Sequence, residues 1–109
     1  MAEAYKIISQ TKPTAASLTD AYTVPGATST VISTVTVCNQ SATPTAFRIS
    51  TAIAGAADTA KQYSFYDVPI AGNESKVVTI GATLATTDVL RVYNTLATCS
   101  FVAFGTEIT

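Results

Sequence analysis

Residues 29–38 read Ser-Thr-Val-Ile-Ser-Thr-Val-Thr-Val-Cys, and this stretch decides how the rest of the chain is read. β-Branched residues dominate it, and such side chains suit a pleated, half-buried surface better than a helix. With a period of two, Val31, Ser33, Val35 and Val37 fall on one face, and Ile32, Thr34, Thr36 and Cys38 on the other. Neither face carries a charge. Both are therefore expected to be covered, as for a strand inside a sandwich or at an interface.

Working outward, the same alternation recurs in short runs separated by turn residues. Before it stand Ala4–Ser9, a polar connection from Gln10 to Asp20 containing Pro13, and Ala21–Val24, closed by the turn pair Pro25-Gly26. After it, Asn39–Pro44 reads as a hairpin loop, and Thr45–Ala54 returns with Phe47, Ile49, Thr51 and Ile53 on one side. Lys61–Val68, Lys76–Ile80, Asp88–Asn94 and Thr98–Phe104 follow, with turns around Gly72-Asn73 and from Gly81 to Thr87. Gly55–Ala60 is rich in alanine, but so short a segment has no helical stability of its own. Nowhere does an apolar period of 3.6 persist. The expected fold is all-β: a single domain over residues 1–109, an antiparallel β-sandwich of about eight short strands with jelly-roll or Greek-key wiring. A closed barrel is the alternative.

Composition narrows the function. Charged residues are 12% of the chain, about half the usual share, and the net charge is −1. A monomer normally covers itself with mixed charge, so much of this surface is expected to meet neighbours. Lys6, Lys12, Arg48, Lys61, Lys76 and Arg91 are scattered among acids, which argues against nucleic acid. No run approaches the roughly 20 apolar residues of a membrane span. Met1–Lys6 lacks the basic start and apolar stretch of a secretory signal, so synthesis and use in a cytoplasm, or release from one by lysis, is expected.

Chemistry is scarce. Histidine is absent, which excludes Ser-His-Asp and Cys-His sites, and there is no Ser-x-x-Lys pair or glycine-rich phosphate loop. Seven carboxylates lie mostly at strand ends or in loops without Asp-x-Asp spacing, so no metal or cofactor is expected. Cys38 and Cys99 are too far apart for a zinc motif. Two readings stand for them: separate small buried thiols, or a thiol pair brought level by antiparallel pairing of the strands that one closes and the other opens. Tyr63, Phe65 and Tyr66 offer a stacking platform for sugars, with Tyr63 and Phe65 on one side of the strand and Tyr66 on the other. The competing reading puts Phe65 in the core and the tyrosines at the rim.

Five short segments in order resemble small virion structural proteins of tailed bacteriophages, notably those of cyanobacteria and marine bacteria. They are Tyr-Thr-Val-Pro at 22–25, Ser-Thr-Val-x-Val-Cys-Asn at 33–39, Phe-Arg-Ile at 47–49, Thr-Thr-Asp-Val at 86–89 where the family has Ala-Thr-Asp-Val, and Phe-Gly-x-Glu at 104–107. The resemblance implies a non-enzymatic particle component located in the virion and assembled in a host cytoplasm. Capsid decoration (cement) proteins fit the size best: small, often trimeric β modules that clamp the outer shell by contacts with the major capsid protein. Tail or baseplate components are the alternative, and a free carbohydrate-binding module is a third. Under the cement reading, two segments are expected to touch partners. One is an N-terminal arm from Met1 through Ala2, Glu3, Ala4, Tyr5, Lys6, Ile7 and Ile8, which would add a strand to a neighbour's sheet edge. The other is the loop Gly55, Ala56, Ala57, Asp58, Thr59 and Ala60.

Overall fold

The computed structural model describes residues 2–109; Met1, the first residue of the expected arm, lies outside them. Eight strands form: β1 (Glu3–Thr11), β2 (Thr19–Thr23), β3 (Ser29–Asn39), β4 (Thr45–Ala52), β5 (Tyr63–Ile70), β6 (Ser75–Leu84), β7 (Val89–Asn94) and β8 (Cys99–Ile108). Between β4 and β5, Ile53–Gly55 and Ala60–Gln62 each make one 3₁₀ turn. The strands build two four-stranded antiparallel sheets, in the orders β1-β8-β3-β6 and β2-β7-β4-β5. β4 with β5, β3 with β6, β2 with β7 and β1 with β8 are nested pairs, as if one long hairpin had been folded over on itself. That is jelly-roll wiring, as expected from the sequence.

The two sheets face each other across a dry layer. Phe47 of β4 and Phe101 of β8 meet edge to face there, with ring centroids 6.1 Å apart, and so join one sheet to the other. Ile32, Val35, Val37, Ile49, Leu90 and Val92 fill the layer around them. Two buried asparagines fasten the loops at its ends. Asn94 accepts from the backbone of Thr98 and Cys99 and donates to the carbonyls of Pro13 and Thr14. Asn39 donates to the carbonyls of Thr43 and Ala71 and accepts from Ser41 N–H. Each saturates backbone groups that would otherwise be stranded where the chain leaves a strand.

β3 departs from strict alternation. Its register slips between Ile32 and Thr34 against both neighbours, leaving Ser33 as an extra residue. Ile32 therefore joins Val35 and Val37 in the core, while Val31 turns outward with Thr34 and Thr36. The expectation that Val31 shares a face with Val35 and Val37 is thus corrected by the bulge. Irregularities continue along the same line: β1 carries an extra Ile8 against β8, and β6 passes through Gly81 at φ +59. This line of bulges bends the whole sheet. β6 therefore runs on to Leu84 where a turn was expected from Gly81, and β8 runs on to Ile108 because β1 and β3 both continue beside it.

Candidate functional site

Two surfaces stand out, one on the outside of each sheet. On the β1-β8-β3-β6 sheet, residues directly opposite one another project to the same side. Three rows cross the outer face: Tyr5–Thr106–Val31–Thr83, Ile7–Phe104–Thr34–Thr79, and Gln10–Val102–Thr36–Val77. None of these residues carries a charge. Tyr5 is 78% exposed, Val77 70% and Ile7 52%. Lys6 and Glu107 lie on the opposite side of their strands and pair with each other.

On the β2-β7-β4-β5 sheet, the outer face is built around Arg48. Tyr93 of β7 is its cross-strand neighbour. On the other side β5 is bulged, with Phe47 opposite Val68 and Ile49 opposite Phe65, so that Tyr66 and Asp67 together face Arg48. Asp67 takes φ +50 to do this, a conformation that Asp tolerates better than most residues. Arg48 Nε donates to Asp67 Oδ1 at 2.6 Å and Nη2 to Oδ2 at 3.3 Å. The guanidinium carbon sits 4.1 Å from the Tyr66 ring centre and 4.3 Å from that of Tyr93. Tyr63 meets Tyr66 edge to face at 5.1 Å. Asp58, Thr59 and Ala60 complete the rim of an open cleft of about 470 Å³ lined by Arg48, Tyr63 and Tyr66. The Tyr63 hydroxyl has its pKa raised, first by burial and then by the Asp58 carboxylate, with Arg48 partly opposing.

The aromatic platform is thus rearranged relative to strand parity. The bulge brings Tyr63 and Tyr66 together, and Phe65 packs against the core instead. Gly55–Ala60 is exposed throughout but not loose. Arg91 donates from Nη1 to Ala56 O at 2.8 Å and from Nη2 to Gly55 O at 3.2 Å, while its Nε donates to Asp20. Asp88 accepts from Ala54 N–H and Ala85 N–H. A second cleft of about 430 Å³ opens between Thr51, Ile53, Ala56, Lys61 and Gln62.

The N-terminal segment is an edge strand of its own sheet rather than a detached arm. Ala2 exchanges two backbone hydrogen bonds with Thr109, and Glu3–Thr11 pair with β8. Ala2 to Ile7 are exposed and Ile8 enters the core. Among the described residues, no strand pairs with its other edge. Cys38 and Cys99 lie on neighbouring strands, but Cys38 is level with Ser100 and Cys99 with Asn39. That one-residue offset sends the two thiols to opposite faces of the sheet, and both are free. Burial above all pushes the Cys99 thiol pKa up, so it is held as an unreactive apolar group. No trio of Cys, Asp or Glu converges as a metal site among the described residues.

Most of the polar residues in the five short motifs act as ties. Tyr22 donates to Glu107 and accepts from Thr30, Asn39 and Asp88 hold loops, and Arg48 holds the cleft wall. No protein-family model matches the chain, and no curated protein sequence is similar to it.

Proposed function

We propose that this chain is a non-enzymatic structural component of a phage particle: a capsid decoration (cement) protein that binds and stabilises the outer shell as a homo-oligomer, with a trimer favoured. The observation that carries this reading is the outer face of the β1-β8-β3-β6 sheet, whose three central rows carry no charge and whose one carboxylate there, Glu3, stands at the margin beside Tyr5. Three rows of Thr, Val, Ile, Tyr, Phe and Gln have no charge to desolvate when covered, and exposed weakly polar and apolar patches of this kind mark interfaces. The molecule measures 45 × 27 × 19 Å. Beside that face, the open edge of β1 gives a neighbouring strand backbone groups to pair with.

The jelly roll is consistent with this role, since capsid domains use it, but so do lectins and cupins, and fold alone decides nothing. The five motifs that resemble virion proteins supply the particle. A trimer fits a local three-fold axis of a shell, and several modest contacts then add by multivalency. Quantitative mass spectrometry of purified particles tests the reading. A copy ratio to the major capsid protein of about one, or a simple fraction such as about one third, is expected for decoration. A ratio of a few per cent moves the chain to the tail or baseplate, and absence from particles removes the structural role.

A further inference from the structure

We propose that the cleft between Arg48, Tyr63 and Tyr66 is a binding site for a neutral saccharide. Its volume of about 470 Å³ lies within the roughly 300–1,000 Å³ of small-molecule sites. Its walls combine the two features that sugars require. Tyr66, a residue 58% exposed, has its ring covered by Arg48 on one side and braced edge to face by Tyr63, and the ring surface left open is an apolar surface for the C–H face of a pyranose. Beside the rings stand polar groups with unused capacity. Arg48 spends Nε and Nη2 on Asp67 and keeps Nη1 as a further donor. Asp58 on the same rim acts on the Tyr63 hydroxyl, and a carboxylate has more acceptor positions than that one contact uses. A donor and an acceptor on one rim suit hydroxyl groups, which do both.

Charge decides against the obvious competitor. One guanidinium is set against two carboxylates, Asp58 and Asp67, so the site carries an excess of negative charge. A phosphate, sialate or uronate would meet repulsion there, and the bidentate pair with Asp67 already occupies the arginine's best anion-binding edge. A neutral sugar meets neither obstacle. The site is also pre-formed: Arg48 is held between two tyrosines and a carboxylate, so little side-chain entropy is lost when a ligand binds. It lies on the opposite side of the sandwich from the uncharged face. A copy seated on a shell through that face would point the cleft outward, where many weak sites act together. The site itself does not depend on the particle reading.

The test is an NMR titration of the ¹⁵N-labelled full chain with maltohexaose, cellohexaose and chitohexaose, and with hexagalacturonate as the charged comparison. At least one neutral oligosaccharide is expected to shift the amides of Asp58–Ala60, Tyr63 and Tyr66 at millimolar concentration. Tyr66→Ala is expected to weaken that binding about tenfold. Asp58→Ala, on an exposed loop where folding is not at stake, should weaken it severalfold, and Tyr5→Ala on the far face should leave it unchanged. The proposal is overturned by the absence of shifts with all three neutral sugars at about 20 mM. Shifts confined to other regions, or tighter binding of hexagalacturonate, overturn it equally.

Discussion

Tyr22 reaches from β2 across the inside of the sandwich to β3 and β8, and its hydroxyl is the centre of a small polar network. It donates to Glu107, accepts from Thr30 at 2.9 Å, and Glu107 in turn pairs with Lys6. Hydrogen bonds from Lys6 and then Tyr22 hold the Glu107 carboxyl below its ordinary value of 4.5. Burial first, and then Glu107, push the Tyr22 hydroxyl up to about 12. The signs follow from linkage. A depressed carboxyl stabilises the fold above its ordinary pKa, and that contribution is lost as pH falls through the folded value. A raised phenol stabilises below its ordinary pKa of 10.0, and that contribution is lost as pH rises towards about 12. Tyr22→Phe is therefore expected to cost about 1–2 kcal/mol near neutral pH. The difference from the parent should shrink at both ends of the pH range. Urea melts between about pH 3 and pH 11 measure this, and a flat difference would refute the network's role. Tyr22 and Glu107 sit in two of the five short motifs, yet nothing in the sequence reveals that residues so far apart are hydrogen-bonded, because only the wiring of β2 and β8 brings them together.

At the scale of elements, the line of bulges across the β1-β8-β3-β6 sheet controls what each strand presents. One extra residue, Ser33, reverses the faces of β3 around it, and Ser33 Oγ donates to Phe104 O at 3.1 Å to hold the bulge. Next to it β8 carries Gly105, where an added Cβ would lie 2.0 Å from Val31 O. The neighbour is backbone, which cannot swing aside. Gly105→Ala is expected to cost about 3 kcal/mol or more, with Gly26→Ala, where nothing lies within 4 Å, as the matched control that should stay within about 0.5 kcal/mol. Equal denaturation midpoints for the two variants would contradict this close approach. Strand existence was legible from β-branched alternation, whereas bulges were not. A single serine in a strand has no signature, and Gly81 reads equally as a turn or as a bulge. The same blindness at Tyr66-Asp67 hid the cleft: parity separated Tyr63 from Tyr66, and the β5 bulge reunited them.

For the whole molecule, the sandwich has two unlike outer faces: one uncharged across its centre with Glu3 at its margin, the other carrying Arg48, Asp67, Arg91 and Asp20. Deleting residues 2–8 would not isolate an interface, because it also removes Ile8 from the core and Lys6 from Glu107. Point changes on the exposed face do isolate it. Tyr5→Lys, Ile7→Lys and Val77→Lys combined should leave the melting temperature within a few degrees, since each residue is exposed and surface changes cost about 0.5 kcal/mol or less. The same variant should lose self-association and particle binding, because burying three ammonium groups is prohibitive. Sedimentation and particle co-pelleting report both. Unchanged assembly would remove this face from the proposal.

The sequence by itself determined the class of fold and the scarcity of chemistry. Local periodicity and turn residues mark strands, and a chain without histidine cannot build the usual nucleophile–base pairs. Tertiary structure alone decided which strands became neighbours, where one extra residue reversed a face, and therefore that an uncharged surface and a tyrosine–arginine cleft lie on opposite sides. The physical reason is range. Alternation is a property of adjacent residues, whereas register and bulges are set by partners far along the chain, through hydrogen bonds that no single strand contains.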